Sequence, residues 1–355
     1  MRRLVLAVVA LALGLGACSD AEDRPAADPS TAPSTSSSAP SAPETSSPPA
    51  PPPRTTLTIV GDLMLVRGVP DPAAALAPLR RRLAAADLTV GNLEQALSRN
   101  GVPMQPNDDS FGGSPAHLRP LARAGFDALS LGNNHTGDYG TRALVETVRA
   151  FDDSPIEQFG AGEDLREASR PAVLEVGGVR FAFVAFNAIG ETPQAAPGRP
   201  GALSIRMPPR TGPLNGADLD HVAGVVRRAD RRADVVVVMP HWGGNYTRTV
   251  DPAQRAVARR LVAAGADLVV GGHPHWVQGA ERVRGVPVYY SIGNFVFDMD
   301  FMTETMEGVF LETAWRGAEL VRVRPVAVRL DPGSFAPRAV RGAAARSILD
   351  DLRTR

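Results

Sequence analysis

Apolar runs of strand length keep ending, in this chain, on glycine and a chemistry-bearing polar residue. TLTIV leads into Gly61-Asp62, LTV into Gly91-Asn92-Leu93-Glu94, and ALSL into Gly132-Asn133-Asn134-His135, with Asp138 just beyond. VVVVMP leads into His241-Trp242-Gly243, LVV into Gly271-Gly272-His273-Pro274-His275, and VYYSI into Gly293-Asn294. Short unbroken apolar runs suit strands covered on both faces. Residues 71–86, 114–125, 218–233 and 251–266 carry helical spacing between them. Strand alternating with helix predicts the α/β class with parallel pairing. GVFLETAWR and AELVRVRPVAVRL, near the end, read as consecutive strands, so the sheets are expected to be mixed.

In open α/β sheets ligands bind beyond the carboxyl ends of the strands, where loops from several strands converge. Each polar residue taken alone has an ordinary explanation. Asp62 or Glu94 could cap a helix or sit solvated in a loop, and Asn133 or Asn134 could be a turn residue. Together they form a pattern, because separate strand ends carry different kinds of metal ligand. Four of the six histidines, His135, His241, His273 and His275, are among them. His117 and His221 fall in helical patterns and read as surface residues.

Two divalent cations held close together repel, so an oxygen ligand must bridge them while imidazoles and an amide complete the shells. Histidines at i and i+2 on a proline-stiffened turn can serve two neighbouring ions. Asp62, His241, His273 and His275 are therefore expected to bind one or two divalent metal ions. Mixed nitrogen and oxygen donors suit Mn, Fe or Zn alike.

Composition removes other chemistries. The chain has no lysine, so neither a phosphate-gripping Gly-Lys-Ser/Thr loop nor a lysine Schiff base can form. Thirty-eight basic and 38 acidic residues cancel, which argues against nucleic acid as a partner. Gly-x-Ser-x-Gly is absent, and Ser291 lies in YSIG, so a serine hydrolase is disfavoured.

The N-terminus indicates destination. Residues 1–18 have two arginines, an apolar run and Leu15-Gly16-Ala17-Cys18, the layout of a lipoprotein signal peptide. Cys18, the single cysteine, is the expected lipidation site, which removes thiolate chemistry from the mature protein. Residues 19–54, rich in Pro, Ser, Ala and Thr, lack the bulky apolar side chains needed to offset ordering entropy and read as a disordered linker. The globular domain is expected over 55–355. The expected location is extracytoplasmic, lipid-anchored on the outer face of a bacterial cell membrane.

In order along the chain, Asp62, the Asn134-His135 of GNNH, His241 and GHPH resemble the calcineurin-like metallophosphoesterase pattern. More closely, GDLMLVR, NLEQAL, NNHTGDYG, HWG with Tyr246, GGHPHWVQG and YSIGNFVFD resemble the CapA family of capsule or poly-γ-glutamate biosynthesis proteins. The resemblance covers about residues 56–300. It implies a metallophosphatase-like four-layer α/β/β/α sandwich and a link to anionic polyglutamate made or exported at the cell surface. Partners would be that polymer and membrane-bound synthase components.

Carried over residue by residue, Asp62, Asn134, His241, His273 and His275 fall on metal-ligand positions. His135 falls on the general acid, with Asp138 placed to orient it. Met64 stands where phosphoesterases carry a histidine, and GNLE replaces their Gly-Asp, leaving Glu94 or Asn92 to bridge. Asn245 stands where the CapA family is expected to carry a glutamate. Arg67, Tyr246 and Asn294 are expected around the ligands or against substrate. Two functions stay open: a metal-dependent hydrolase of phosphoesters or amides, and a non-catalytic polymer-binding or assembly component.

Overall fold

Strand β1 (Arg54–Leu63) carries the first polar strand end and sits inside a sheet assembled from both ends of the described chain. The computed structural model describes residues 54–353. The proposed signal peptide, Cys18 and all of the linker except Arg54 lie outside the described residues.

After β1 come α1 (Pro72–Leu76), α2 (Arg80–Leu83), β2 (Leu88–Leu93), α3 (Leu118–Ala124), β3 (Ala128–Ser130), α4 (Gly140–Arg149) and β4 (Glu157–Phe159). Next are β5 (Ala161–Gly162), α5 (Leu165–Ala168), β6 (Ala172–Val176), β7 (Val179–Asn187) and β8 (Gly201–Ala202). Then follow α6 (Gly216–Asp230), β9 (Val235–His241), α7 (Pro252–Ala263), β10 (Leu268–Val270), β11 (Ala280–Val283) and β12 (Val286–Tyr289). The last elements are β13 (Asn294–Val296), β14 (Glu307–Arg316), β15 (Glu319–Leu330), β16 (Pro337–Ala339) and α8 (Gly342–Asp350).

One sheet has the order β16-β15-β14-β1-β2-β3-β4, with β13 joining β1 in parallel at Asp62. Its β1 to β4 half is parallel and its β14 to β16 half antiparallel, so the expected mixed sheet forms. The other sheet has the order β11-β12-β10-β9-β7-β6, parallel in the middle with an antiparallel hairpin at each edge.

Alternation along each strand divides its side chains between two cores. In β9, Val235, Val237 and Met239 pack between the sheets against Ile59, Val90 and Phe183. Val236 and Val238 face the other way, against Val222 and Val226 of α6 and Val257 and Leu261 of α7. On the first sheet, Val60 and Leu63 meet Leu83, Leu121 and Leu144 of α2, α3 and α4. The layers are therefore α/β/β/α, and each wholly buried Val, Leu or Phe contributes about 1.5–3 kcal/mol.

Local chemistry moves some boundaries. The helical pattern over 71–86 forms two short helices rather than one, because Pro78 lacks an N–H and its ring conflicts with the carbonyl four residues back. Asp71 still caps the first, accepting from the backbone of Ala73 and Ala74. Residues 172–176, given no element above, form β6, turned into β7 by Gly177 and Gly178 at φ 59° and 75°.

Candidate metal centre

The carboxyl ends of the central strands of both sheets meet at one seam. Asp62 ends β1, Asn92 lies in β2 with Glu94 directly after it, and Asn133, Asn134 and His135 follow β3. From the other sheet, His241 ends β9, and His273 and His275 follow β10. Close backbone approach is built in by glycine. A Cβ on Gly272 would lie 2.4 Å from Asp62 Oδ1, and one on Gly61 would lie 2.0 Å from the Gly293 carbonyl oxygen.

Donor atoms converge there. Asp62, Glu94 and His241 form one group whose ligand atoms all lie within 4.8 Å of each other, and Glu94, His273 and His275 form a second. Glu94 belongs to both. Its Oε1 is 3.4 Å from His241 Nε2 and 3.9 Å from His275 Nε2 and from His135 Nε2. Yet no N–H or hydroxyl donates to either Glu94 oxygen, which has the Asp62 carboxyl beside it, and neither ring nitrogen of His273 has a partner, though all are buried. Unpaired buried polar atoms are costly, and Glu94 and His273 each bring a donor atom into the same candidate group.

Electrostatics point the same way. Burial, reinforced by the Glu94 charge, lifts the Asp62 carboxyl to about 7. Burial also lifts Glu94 to about 8, against the pull of His135. Burial drives His241 down to about 4 and His275 to about 3, and His273 well below the usual imidazole range. Neutral imidazoles are what a metal needs. The two carboxyls, costly as isolated anions, become favourable once a divalent cation lies between them. The donor set therefore fits a cation, and Glu94 is the residue common to both candidate groups.

Neighbouring groups fix these side chains. Asp62 Oδ2 accepts the His273 backbone N–H at 3.0 Å, and Asp62 Oδ1 accepts from Asn92 Nδ2 at 2.8 Å. That Asn92 amide also stands 3.3 Å from His241 Nδ1, while its oxygen accepts from Asn133 at 3.0 Å. Asn92 is thus occupied in holding Asp62 and His241, and of the two bridging alternatives Glu94 has the open oxygens. Asn134 Oδ1 lies 2.7 Å from His241 Nε2. Asn294 Oδ1 lies 2.9 Å from His275 Nδ1, which leaves His275 Nε2 facing Glu94.

His135 sits beside the ligands. Its Nδ1 is 2.7 Å from Asp138 Oδ2, and its ring stacks on Phe111 at 3.9 Å. Burial works against its protonation, but the Asp138 hydrogen bond and charge, with Glu94 and Glu191 further off, outweigh it and raise its pKa. Arg67 lies over the opposing Phe111 ring at 4.3 Å and is anchored by Asp298 and Asp109. Tyr246 is half-buried with its ring centre 6.1 Å from that of His275. Arg67, Glu191, Tyr246, His273 and His275 all have positive φ, between 52° and 96°. For non-glycine residues this costs on the order of 1 kcal/mol each, and such strain gathers at functional sites.

Some readings need correction. His117 and His221 are half-buried rather than surface residues, paired with Gln95 at 3.1 Å and Ser169 at 2.9 Å. Met64, at the position of a phosphoesterase histidine, is buried in an apolar cluster. Glu191 was missed altogether. It accepts from Asn134 Nδ2 at 2.7 Å and pairs with Arg210 at 2.7 Å. A lone glutamate in the GET segment after β7 has no signal of its own; only its position beyond another strand end could have marked it.

The profile of the family described as bacterial capsule synthesis protein PGA_cap matches residues 56–299. The capsule biosynthesis protein CapA of Bacillus anthracis is 29% identical over 294 residues, covering 80% of this chain and 69% of that protein. The PGA biosynthesis protein CapA of Bacillus subtilis is 30% identical over 238 residues, 64% of this chain and 57% of that one. A probable polyglutamine synthesis accessory protein of Mycobacterium tuberculosis is 32% identical over 221 residues, 61% of this chain and 57% of its own length. The match thus leaves about a third or more of each relative uncovered.

Proposed function

Since the chain belongs to the PGA_cap family of bacterial capsule synthesis proteins, we propose that it is an accessory protein of anionic surface-polymer synthesis whose cleft is a metal-dependent hydrolytic centre. The observation that carries this reading is Glu94, buried beside the Asp62 carboxyl with no N–H or hydroxyl donating to its oxygens, among the nitrogens of His241, His275 and His135. Asp62, Glu94, His241, His273 and His275 would hold the cation, with Asn134 beside them. A divalent ion there supplies charge that polarises a phosphoryl or carbonyl oxygen and acidifies water.

The chain's own residues do the rest. Asp138 takes up Nδ1 of His135, so the second proton of the imidazolium resides on Nε2, which faces Glu94 and the cleft. From there it can protonate a leaving oxygen or nitrogen. Phe111 keeps water off one face of that imidazole. Asn92 and the His273 amide keep the Asp62 carboxylate aimed inward. Anchoring through Cys18, with residues 19–54 as a tether, would place this cleft at the outer membrane face beside synthase components.

The test is turnover by the purified chain, loaded with Mn²⁺, Zn²⁺ or Fe²⁺, on aryl phosphodiesters, phosphomonoesters and γ-glutamyl peptides. Turnover abolished by His135→Ala with metal content retained is the expected result. No turnover on any of them, in protein shown to hold metal, overturns hydrolysis. The second reading, a non-catalytic polymer-binding component, is favoured by Met64, whose buried thioether replaces a ligand and leaves one ion position short of a donor.

A further inference from the structure

Strand β6 is an edge of the second sheet, and its one neighbour in that sheet is β7. Leu174 of β6 packs towards the space between the sheets, so its neighbour Val173 points the other way, and it is 48% exposed. Val173 lines a trough of about 900 Å³, shared by α5, β6 and α6.

His221, Val225, Arg228 and Ala229 of α6 and Arg232, two residues past its end, lie at i, i+4, i+7, i+8 and i+11, the spacing of a single helix face. All five line the trough. Val225 and Ala229 are buried and give it an apolar floor, while Arg228 and Arg232 are exposed. Neither has a carboxylate within 4.0 Å among the described residues. Arg166 and Arg170 line it from the α5 side, meeting Asp164 and Glu167 at no closer than 3.9 Å, with side chains 89% and 65% exposed. Asp164 is the one acidic residue in the lining. None of the metal-centre residues takes part.

Four guanidiniums around an apolar floor specify a ligand chemistry. Like charges at i and i+4 repel across Arg228 and Arg232, and an anion between them relieves this. Guanidinium forks match carboxylates in two-point contact. A single small anion would engage one or two forks and leave Val173, Val225 and Ala229 facing water. A chain that alternates carboxylates with methylene groups satisfies both the rims and the floor.

We propose that this trough binds a segment of a polycarboxylate chain at a site separate from the metal centre. The proposal rests on the reading that the protein serves anionic-polymer synthesis, and it assigns holding of the polymer to α5, β6 and α6. Polymer could then be retained whether or not the metal centre is loaded.

The test uses the full chain and three probes: poly-γ-glutamate, neutral dextran, and vesicles containing phosphatidylglycerol, each at low and moderate salt. Poly-γ-glutamate is expected to bind, with affinity falling as salt rises. The paired substitution Arg228→Glu/Arg232→Glu should weaken binding about tenfold or more. Arg227→Glu/Arg231→Glu, the same charge change outside the trough lining, should leave it within about twofold. Equal losses from both pairs, no loss from the first, or no polymer binding by the wild type overturns the proposal. So does vesicle binding that polymer cannot displace. A His273→Ala variant that binds polymer normally but has lost its metal supports a separate site. If no substrate is turned over while the Arg228/Arg232 dependence holds, the hydrolytic reading falls and the trough stands.

Discussion

Nδ1 of His135 lies 2.7 Å from Oδ2 of Asp138, and that same carboxylate oxygen accepts the backbone N–H of Phe111 at 2.6 Å. One carboxylate therefore sets both the imidazole's proton placement and the segment whose ring stacks on it. Asp138→Asn keeps the shape and removes the charge. Turnover is expected to fall about 10²- to 10⁴-fold with metal content unchanged. Steady-state rates beside elemental analysis check this. Loss of metal with loss of rate would instead make Asp138 a structural residue.

Glu94→Gln separates metal holding from folding. The amide replaces a buried carboxyl to which no N–H or hydroxyl donates, and it can itself donate to the neighbouring Asp62 carboxyl, so the metal-free fold should be unharmed, within about 1 kcal/mol. Cation affinity, in contrast, should drop by about tenfold or more, since the shared ligand has gone. Titration calorimetry with Mn²⁺ and thermal melts in chelator give the two readings. Unchanged affinity would remove Glu94 from the centre.

The pH dependence of the metal-free protein follows from the buried pairs. Asp62 and Glu94 have raised folded-state pKa values, about 7 and about 8, so above their unfolded values the unfolded chain binds fewer protons. They make stability fall as pH rises towards 8. His241, His273 and His275 are held below 6.5, so they make stability rise with pH up to about 6.5. The terms oppose each other below 6.5; between 6.5 and 8 the carboxyls act together with His135, whose raised pKa likewise makes stability fall as pH rises. Melting temperature in chelator should decline across that window, and the gain on adding metal should grow across it. A rising metal-free melting temperature there would contradict the burial of these two acids.

The N-terminal expectation has a simple check. Wild-type protein should sediment with membranes and partition into detergent, and Cys18→Ala should lose that partitioning. Equal partitioning of the two forms would leave Cys18 without a lipid.

The convergence of Asp62, Glu94, His241, His273 and His275 into one candidate centre was legible because strand-end position and ligand type coincide there. Which strands share a sheet was not. VVVVMP and TLTIV are buried on both faces, and such runs look alike in sequence although one belongs to each sheet. The hydrogen bonds that tie Asn92 to Asp62 and Asn133 were also hidden, because they join residues 30 and 41 positions apart. Glu191 acts through Asn134, a contact 57 residues away that no local pattern encodes. Pro78 was visible in the sequence, but the helical spacing of the alanine-rich run around it masked the break that it makes between α1 and α2.

The ligands come from opposite sheets, and the Asp62–His273 contact spans 211 residues of chain. A polypeptide still in transit, with its second half unfolded, cannot offer the complete set of donors to any ion. Any ion that this candidate set holds would be captured last, after the two halves dock, and the surroundings in which that docking finishes would choose it. A protein that matures outside the cytoplasm would draw its metal from a different supply than one loaded before export.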